Sequence, residues 1–274
     1  MIDLHCHSIY SDGTHTPEEL IAMGVQAGLK VLALTDHDSM AGVNELLTAG
    51  AGKMHIINGI ELSTRWKKHE LHIIGLNIPL DDVSFNALIA RQRENRHARA
   101  LEIASKLASF GVEDAYEKAC AVAGHEQVAR PHFAKVLMNE GITDSLQSGF
   151  NRLLGRGKPA YVVTPWVEMD EAVKSIALAG GQAVIAHPLK YSLTRTKLNE
   201  LIKSFKESGG VGMEVVSGET MDIQVSELVK LCNRYDLLAS SGSDFHGEQV
   251  SRIRLGQQRP LPLNCTPIWN EWTF

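Results

Sequence analysis

Two imidazoles and a carboxylate lie close together near the start of the chain, in Asp3-Leu4-His5-Cys6-His7 followed by Ser11-Asp12-Gly13. On a strand, residues two apart point to the same side, so His5 and His7 share one face. Asp12, in a turn that ends on Gly13, can converge with them on a cation. Neutral imidazole suits Zn, Fe, Mn or Ni, and a carboxylate suits the harder ions of that group. A His-x-His pair alone is equally compatible with a plain strand carrying two polar residues.

Position separates these alternatives. His5, His7, Asp12, His37, Glu61, His72, His187, Asp244 and His246 each fall at or near the C-terminal end of a stretch that reads as a β-strand. Singly, each has a structural explanation: His37 can cap a helix, His72 can sit half-buried on a strand, and His187 can end a strand before Pro188. Together they form a mixed N and O donor set too large for one tetrahedral ion. Such a set suits two or three divalent ions with a bridging carboxylate. Ions about 3.5–4 Å apart can share a hydroxide and clamp a phosphoryl group in line. His15, His55, His69, His97 and His125 hold no such positions and read as surface residues.

The elements that must carry these residues alternate. Residues 2–6 read as a strand. Thr16, Pro17 and Glu19 form a capping box that starts a helix, and Gly28 stops it. The apolar run at 31–35 is typical of a strand buried on both faces of a parallel sheet. A short helix at 42–47 and strands at 54–57, 59–63 and 71–76 follow. Residues 81–154 read as almost wholly helical, with Leu101, Leu107 and Phe110 at helical spacing. Helices at 169–179, 197–207 and 221–235 then alternate with strands at 182–186, 212–216 and 237–241. The last 25 residues are irregular and predicted to wrap the barrel. The expectation is an α/β barrel formed by 1–80 and 155–274, with 81–154 as an inserted helical lid. In such a barrel the C-terminal strand ends share the catalytic face.

Bulk properties narrow the classes. A chain of 274 residues suits one barrel with an insertion, and 44% apolar and 22% charged residues suit a large core. A net charge of −5 gives no global basic field, which argues against duplex DNA as partner. The absence of an aromatic-plus-basic stripe argues against a nucleic-acid-binding scaffold. Cys6, Cys120, Cys232 and Cys265 are scattered, which reads as reduced thiols and a cytoplasmic location. No apolar run is long enough for a membrane span.

These motifs, with Leu34-Thr35-Asp36-His37-Asp38, Gly59-Ile60-Glu61, Ala186-His187-Pro188 and Ser243-Asp244-Phe245-His246, resemble those of the PHP (polymerase and histidinol phosphatase) family. Arg130-Pro131-His132 and Gly157-Lys158-Pro159-Ala160-Tyr161 are most similar to its stand-alone TrpH/YciV-like subgroup. The resemblance implies a distorted (β/α)7 barrel holding two to three divalent ions, Mn, Zn or Fe. It implies one ion on His5, His7, Glu61 and Asp244, a second on Glu61, His72 and His187, and a third on Asp12, His37 and His246. Many family members carry His where Asp12 stands, and the harder oxygen tilts that site towards Mn or Fe beside Zn.

Arg130, His132 and Lys158 remain for substrate. A guanidinium fork and an ammonium point charge are common means of holding phosphate. Arg130 can equally be a helix-start charge, and Lys158 a solvated loop residue. His132 is open between phosphate contact, general acid and metal ligand. His187 or His132 can protonate the leaving oxygen. Tyr161 and Arg195 are further candidates for substrate contact, and Glu214 can orient a ligand histidine. On residues alone the chain is a metal-dependent hydrolase of a phosphate ester. The resemblance adds a nucleotide substrate: the 5′-phosphate of a nucleoside 3′,5′-bisphosphate or a short 5′-phosphorylated RNA end, or a cyclic phosphodiester. The alternatives are histidinol-phosphate phosphatase and a C–N amidohydrolase on the same metals.

Overall fold

Residues 1–273 are described by a computed structural model. The strands are β1 (Ile2–Asp3), β2 (Val31–Leu34), β3 (His55–Trp66), β4 (His69–Leu76), β5 (Val167–Glu168), β6 (Gln182–Ile185), β7 (Gly212–Ser217) and β8 (Leu238–Gly242). They form a nearly closed barrel-shaped sheet in the order β1-β2-β3-β4-β6-β7-β8, with short β5 paired to β3. Neighbours run parallel except β4, which is antiparallel to both β3 and β6. Helices α1 (Pro17–Gln26), α2 (Val43–Gly50), α7 (Met169–Leu178), α8 (Arg195–Glu207) and α9 (Asp222–Tyr235) connect the strands. The Thr16 box caps α1, with Thr16 Oγ1 accepting from Glu19 N–H and Glu19 accepting from Thr16 N–H.

Two strand expectations change. The segments expected at 54–57 and 59–63 are one twelve-residue strand, β3, because Gly59 continues the ladder instead of breaking it. Its lack of a side chain has another use: a Cβ there would lie 2.8 Å from the Leu34 carbonyl oxygen. His72 lies in the first half of its strand. Because β4 runs antiparallel, that half is the one at the barrel mouth.

The first and last strands close the barrel through backbone bonds. Leu4 N–H donates to Ser241 C=O at 3.0 Å, Asp244 N–H to His5 C=O at 2.8 Å, and His7 N–H to Phe245 C=O at 2.9 Å. Buried Asp3 ties the seam, accepting from Ser243 N–H and Gly256 N–H. The strands share a core of Leu4, Val31, Ala33, Ile57, Ile74, Leu76, Val184 and Ala186, joined by Ile268 of the C-terminal segment. That segment wraps back as expected, with Ile268 N–H bonded to Ala239 C=O.

Between β4 and β5 the chain is helical: α3 (Val83–Ala108), α4 (Ala115–Ala123), α5 (Arg130–Asn139), α6 (Leu146–Gly149) and a π-turn at Phe150–Leu154. At 26 residues, α3 is about 39 Å long. Its first half places Phe85, Leu88 and Ile89 in the barrel's core, and its second half places Ala100, Ile103 and Leu107 in a separate core with Phe133, Leu137 and Leu153. Ala160 and Val162 pack into this second core too. Of the apolar residues at helical spacing, Leu107 is buried, whereas Leu101 on α3 and Phe110 just beyond it are exposed. The face that is buried contains Gln92, Arg96 and Arg99, which apolar spacing alone does not register. No described helix is long and apolar enough to cross a membrane.

The seam gives a test of closure. A Cβ on Gly242 would lie 2.2 Å from the His5 Cβ and 2.8 Å from its backbone nitrogen. Gly242→Ala is expected to destabilise by about 1–3 kcal/mol through overpacking, read as a lower melting temperature in thermal unfolding. An unchanged midpoint would contradict the tight β1–β8 approach.

A candidate metal centre at the barrel mouth

Glu61 faces the mouth from β3, fully buried. Its Oε1 lies 2.9 Å from His72 Nδ1, 2.9 Å from His187 Nε2 and 3.5 Å from His5 Nε2; its Oε2 lies 3.0 Å from His37 Nδ1 and 3.4 Å from His7 Nε2. Asp244 Oδ1 faces His5 and His7 at 3.4 and 3.5 Å. Asp12 Oδ1 lies 3.5 Å from His246 Nε2, 3.8 Å from His37 Nε2 and 3.9 Å from His7 Nδ1. The structure thus brings all nine candidate ligands into one cluster. Its grouping differs in one respect from the expected partition. Nitrogens of both His7 and His37 sit in reach of Asp12 as well as of Glu61, so these two imidazoles link the groups.

The surrounding residues hold this arrangement. Glu214 on β7 lies 2.9 Å from His5 Nδ1 and accepts from the His187 backbone N–H at 2.6 Å. It fixes the His5 ring with Nε2 towards the cluster, the orienting role expected for it. In Asp36-His37-Asp38 only the histidine faces inward. Asp36 accepts from Ser8 N–H, Ser8 Oγ and Ser11 Oγ, which pins the turn that carries Asp12. Asp38 accepts from Ser63 N–H, Gln92 and Arg96. Asp38, His187 and Asp244 adopt positive φ values of 51°, 25° and 53°. Such left-handed backbone is costly for these residues and is held by its surroundings, as is common at functional sites.

The electrostatics are mutual. Burial pushes the Glu61 carboxyl up, yet His72, His37 and His5 hold it well below the usual range. Burial pushes His5 down, and Glu214, Glu61 and Asp244 outweigh it, raising His5 well above its ordinary value. Burial, with His246 and His37 beside it, lowers His7 to about 3. Asp12 is lowered against its own burial by His37, His246 and His7.

The donor set fits divalent ions. Asp12 Oδ1, His37 Nδ1, Glu61 Oε2 and His187 Nδ1 are buried without a hydrogen-bond partner. Although His37 Nδ1 and Glu61 Oε2 approach to 3.0 Å, they make no aligned hydrogen bond. Orphaned buried acceptors of this kind are costly unless something binds them. Imidazole and carboxylate together suit first-row divalent metals.

The substrate candidates divide. His132 is buried at the start of α5, and Asp12 acts on its charge. Its Nδ1 accepts the Ala129 N–H at 3.0 Å, capping the helix where Ala129 has no side-chain acceptor. Arg130 is half-buried, within electrostatic reach of Tyr161 and Arg99. Tyr161 donates its hydroxyl to Glu70 at 2.6 Å. Lys158 is exposed in a turn, its N–H bonded to Gly155 C=O and its C=O to Tyr161 N–H. Arg195 begins α8 on the outside, exposed and 3.8 Å from Glu227. Three residues were missed in the sequence. Lys190 donates to Asp244. Arg96 reaches Asp38 and Ser63. His125, expected on the surface, is half-buried, its ring 5.9 Å from that of His132, and it lies close to the backbone of Ile9 and Ser11. The signal for Arg96 was its helical spacing from Gln92 and Arg99; Lys190 and His125 gave none.

Comparisons with known proteins agree with this geometry. The family model for the PHP domain matches residues 3–241. A 5′-3′ exoribonuclease of Haemophilus influenzae is 40% identical over 98% of both chains. A 3′,5′-nucleoside bisphosphate phosphatase of Chromobacterium violaceum is 38% identical over 98% of this chain and 95% of the other. A solved structure from Chromobacterium violaceum, described as an amidohydrolase with bound sulfate and no metal, superposes with a TM-score of 0.93 at 37% identity, over 98% of this chain and 95% of that one.

The cap on α5 makes the helical block acid-sensitive. Burial lowers His132 to about 4, against the pull of Asp12. The unfolded state, titrating near 6.5, binds more protons between those values, so stability is lost as pH falls from about 6.5 to about 4. The cost approaches about 3 kcal/mol, since a protonated Nδ1 can no longer accept the Ala129 N–H. His132→Gln is expected to lose less melting temperature than the wild type between pH 7 and pH 4.5. Parallel melting curves would exclude this role.

Proposed function

The chain belongs to the PHP family, and from that premise we propose that it is a metal-dependent phosphoesterase that hydrolyses a nucleotide phosphate ester. The carrying observation is the convergence of nine N and O donors around Glu61, with buried atoms left unpartnered, beside the basic side chains of α3 and α5. His5, His7, Glu61 and Asp244 would hold one ion, Glu61, His72 and His187 a second, and Asp12, His37 and His246 a third. The mixed donors suit Mn, Zn or Fe. Divalent ions held there would supply an acidified water near neutral pH and positive charge against the phosphate.

The chain's own groups do the rest. Glu214 keeps His5 and the His187 backbone in place, and Asp36 and Asp38 hold the loops that bring in Asp12 and His37. Arg130, half-buried near Arg99 and Tyr161, would take non-bridging phosphate oxygens. With Nδ1 occupied by the Ala129 N–H, His132 carries its proton on Nε2 and is a neutral hydrogen-bond donor. Its lowered pKa makes it a poor proton reservoir at neutral pH. His187 is the other candidate for protonating the leaving oxygen. The helices of 81–154 act as a lid that excludes water and selects the leaving group. Lys158, Tyr161 and Arg195 would contact substrate only if the lid or its flanking loops moved. The names of the relatives point to a nucleoside 3′,5′-bisphosphate or a 5′-phosphorylated RNA end as substrate. The four unpaired cysteines suit the cytoplasm.

The test is phosphate release from a panel of nucleoside mono-, bis- and cyclic phosphates, with the protein's metals counted. His7→Asn is expected to lower kcat/KM by more than the ~10–100-fold typical of losing an outer partner of a ligand, with bound metal reduced and the fold retained by circular dichroism. A fully metallated and active His7→Asn protein would overturn the ligand assignment. A wild type inert on every phosphate substrate but active on a C–N substrate would favour the amidohydrolase alternative.

A further inference from the structure

The carboxylates that supply oxygens to the cluster are not treated alike. Among the described residues, Asp12 and Glu61 pair only with imidazoles, Glu61 through both of its oxygens. Asp244 is divided. Its Oδ1 faces His5 Nε2, His7 Nε2 and His246 Nδ1 at 3.4, 3.5 and 3.6 Å. Its Oδ2 accepts from the Lys190 ammonium.

Lys190 reaches this oxygen from outside: its own side chain is 58% exposed and that of Asp244 is 7% exposed. The backbone that carries it is nevertheless held close to the cluster. Pro188–Tyr191 forms a single 3₁₀ turn directly after His187, and Lys190 N–H donates to His187 C=O at 2.9 Å. The Tyr191 hydroxyl donates to Ala186 C=O at 2.8 Å and accepts from His72 N–H at 2.9 Å. The turn is thereby tied to β6 and β4, and the long flexible stem of Lys190 lies back over the mouth towards Asp244. On the other side, the left-handed backbone of Asp244, with φ 53°, fixes where its carboxylate starts. Glu61 and Glu214 also act on the charge of Lys190. Those carboxylates make an ammonium tolerable beside a centre suited to cations.

A carboxylate oxygen that accepts from an ammonium makes a strong, charge-assisted bond and is a poorer donor to anything else. We propose that Lys190 is a positioning residue that reserves Oδ2 of Asp244, so that this side chain offers the ions Oδ1 alone. Carboxylates bind divalent ions through one oxygen or through two, and the groups bonded to a ligand set its orientation. A second oxygen from Asp244 would fill a position of the kind that catalytic metal sites keep open. The effect on turnover rests on the phosphoesterase reading; the division of the carboxylate does not.

The test loads the full chain with Co(II), whose visible absorption per ion weakens as its coordination number rises. In Lys190→Met, Asp244 is free to turn both oxygens inward, and the absorption per bound ion is expected to fall. Lys190→Arg keeps a donor for Oδ2 and is expected to keep the wild-type spectrum. Release of the ions to a chelator should be equal or slower in Lys190→Met, because a ligand atom is gained and a like charge removed. A merely structural lysine predicts an unchanged spectrum and faster release. On a nucleoside 3′,5′-bisphosphate, kcat of Lys190→Met is expected to fall roughly 10–100-fold at nearly constant KM, the scale of losing an outer partner of a ligand. An unchanged spectrum overturns the proposal, and if KM rises with it Lys190 contacts the substrate instead. If the wild type hydrolyses no phosphate ester, the phosphoesterase reading fails on its own. The spectra of the wild type and Lys190→Met then still decide the role of Lys190.

Discussion

Glu61 accepts the approach of five imidazoles, from His5, His7, His37, His72 and His187, within 3.5 Å of its two oxygens. A fully buried carboxylate in that position is tolerable only because cationic or metal-bound partners surround it on every side. Much of the barrel answers to this requirement. The sheet must be closed, since His5 and His7 follow β1 while Asp244 follows β8, and only the seam between them brings the two ends together. β4 must run against its neighbours, because that puts His72 at the mouth three residues into the strand. The chain also takes left-handed turns at Asp38, His187 and Asp244, directly after β2, β6 and β8. Those turns bend the backbone over the mouth instead of continuing outward.

The second organising element is α3, which belongs to two cores at once. An amphipathic helix with a continuous apolar stripe would only tether the helical block to the barrel. Here the stripe is interrupted at the junction by Gln92, Arg96 and Arg99. Gln92 bonds Asp38, Ser63 C=O and Val167 N–H, and Arg96 bonds Asp38 and Ser63. The polar interruption thus fixes the loop that carries His37, and the position of the helical block is coupled to the geometry of the cluster. His132 extends that coupling by capping α5 while lying within electrostatic reach of Asp12.

The β/α alternation and the nine cluster residues could be read from the sequence because their signals are local. Apolar runs and capping boxes mark elements over a few residues, and metal-binding side chains at strand ends are conspicuous wherever they occur. Glu214 was also legible, from its place on a strand aimed at the same face. The residues that escaped notice act through contacts distant in sequence. Arg96 and Arg99 resemble solvated helix arginines until α3 is seen to bury that face against Trp166 and Asp38. His125 resembles a loop histidine until α5 sets it beside the β1 turn. Lys158 and Arg195, singled out for their basic chemistry, lie on exposed surface, which their local sequence does not reveal.

The sequence by itself determined the donor chemistry, the strand-end placement that makes a barrel mouth the site, and the family resemblance. Tertiary structure decided how the donors group, with His7 and His37 reaching both Glu61 and Asp12. It also decided that β3 is one strand and β4 its antiparallel partner, and that the arginines of α3 are buried against Trp166. Local pattern records what a side chain can do. Its partners, its burial and the sign of its pKa shift depend on segments as much as two hundred and fifty-three residues away, and only the closed sheet and packed helices bring those together.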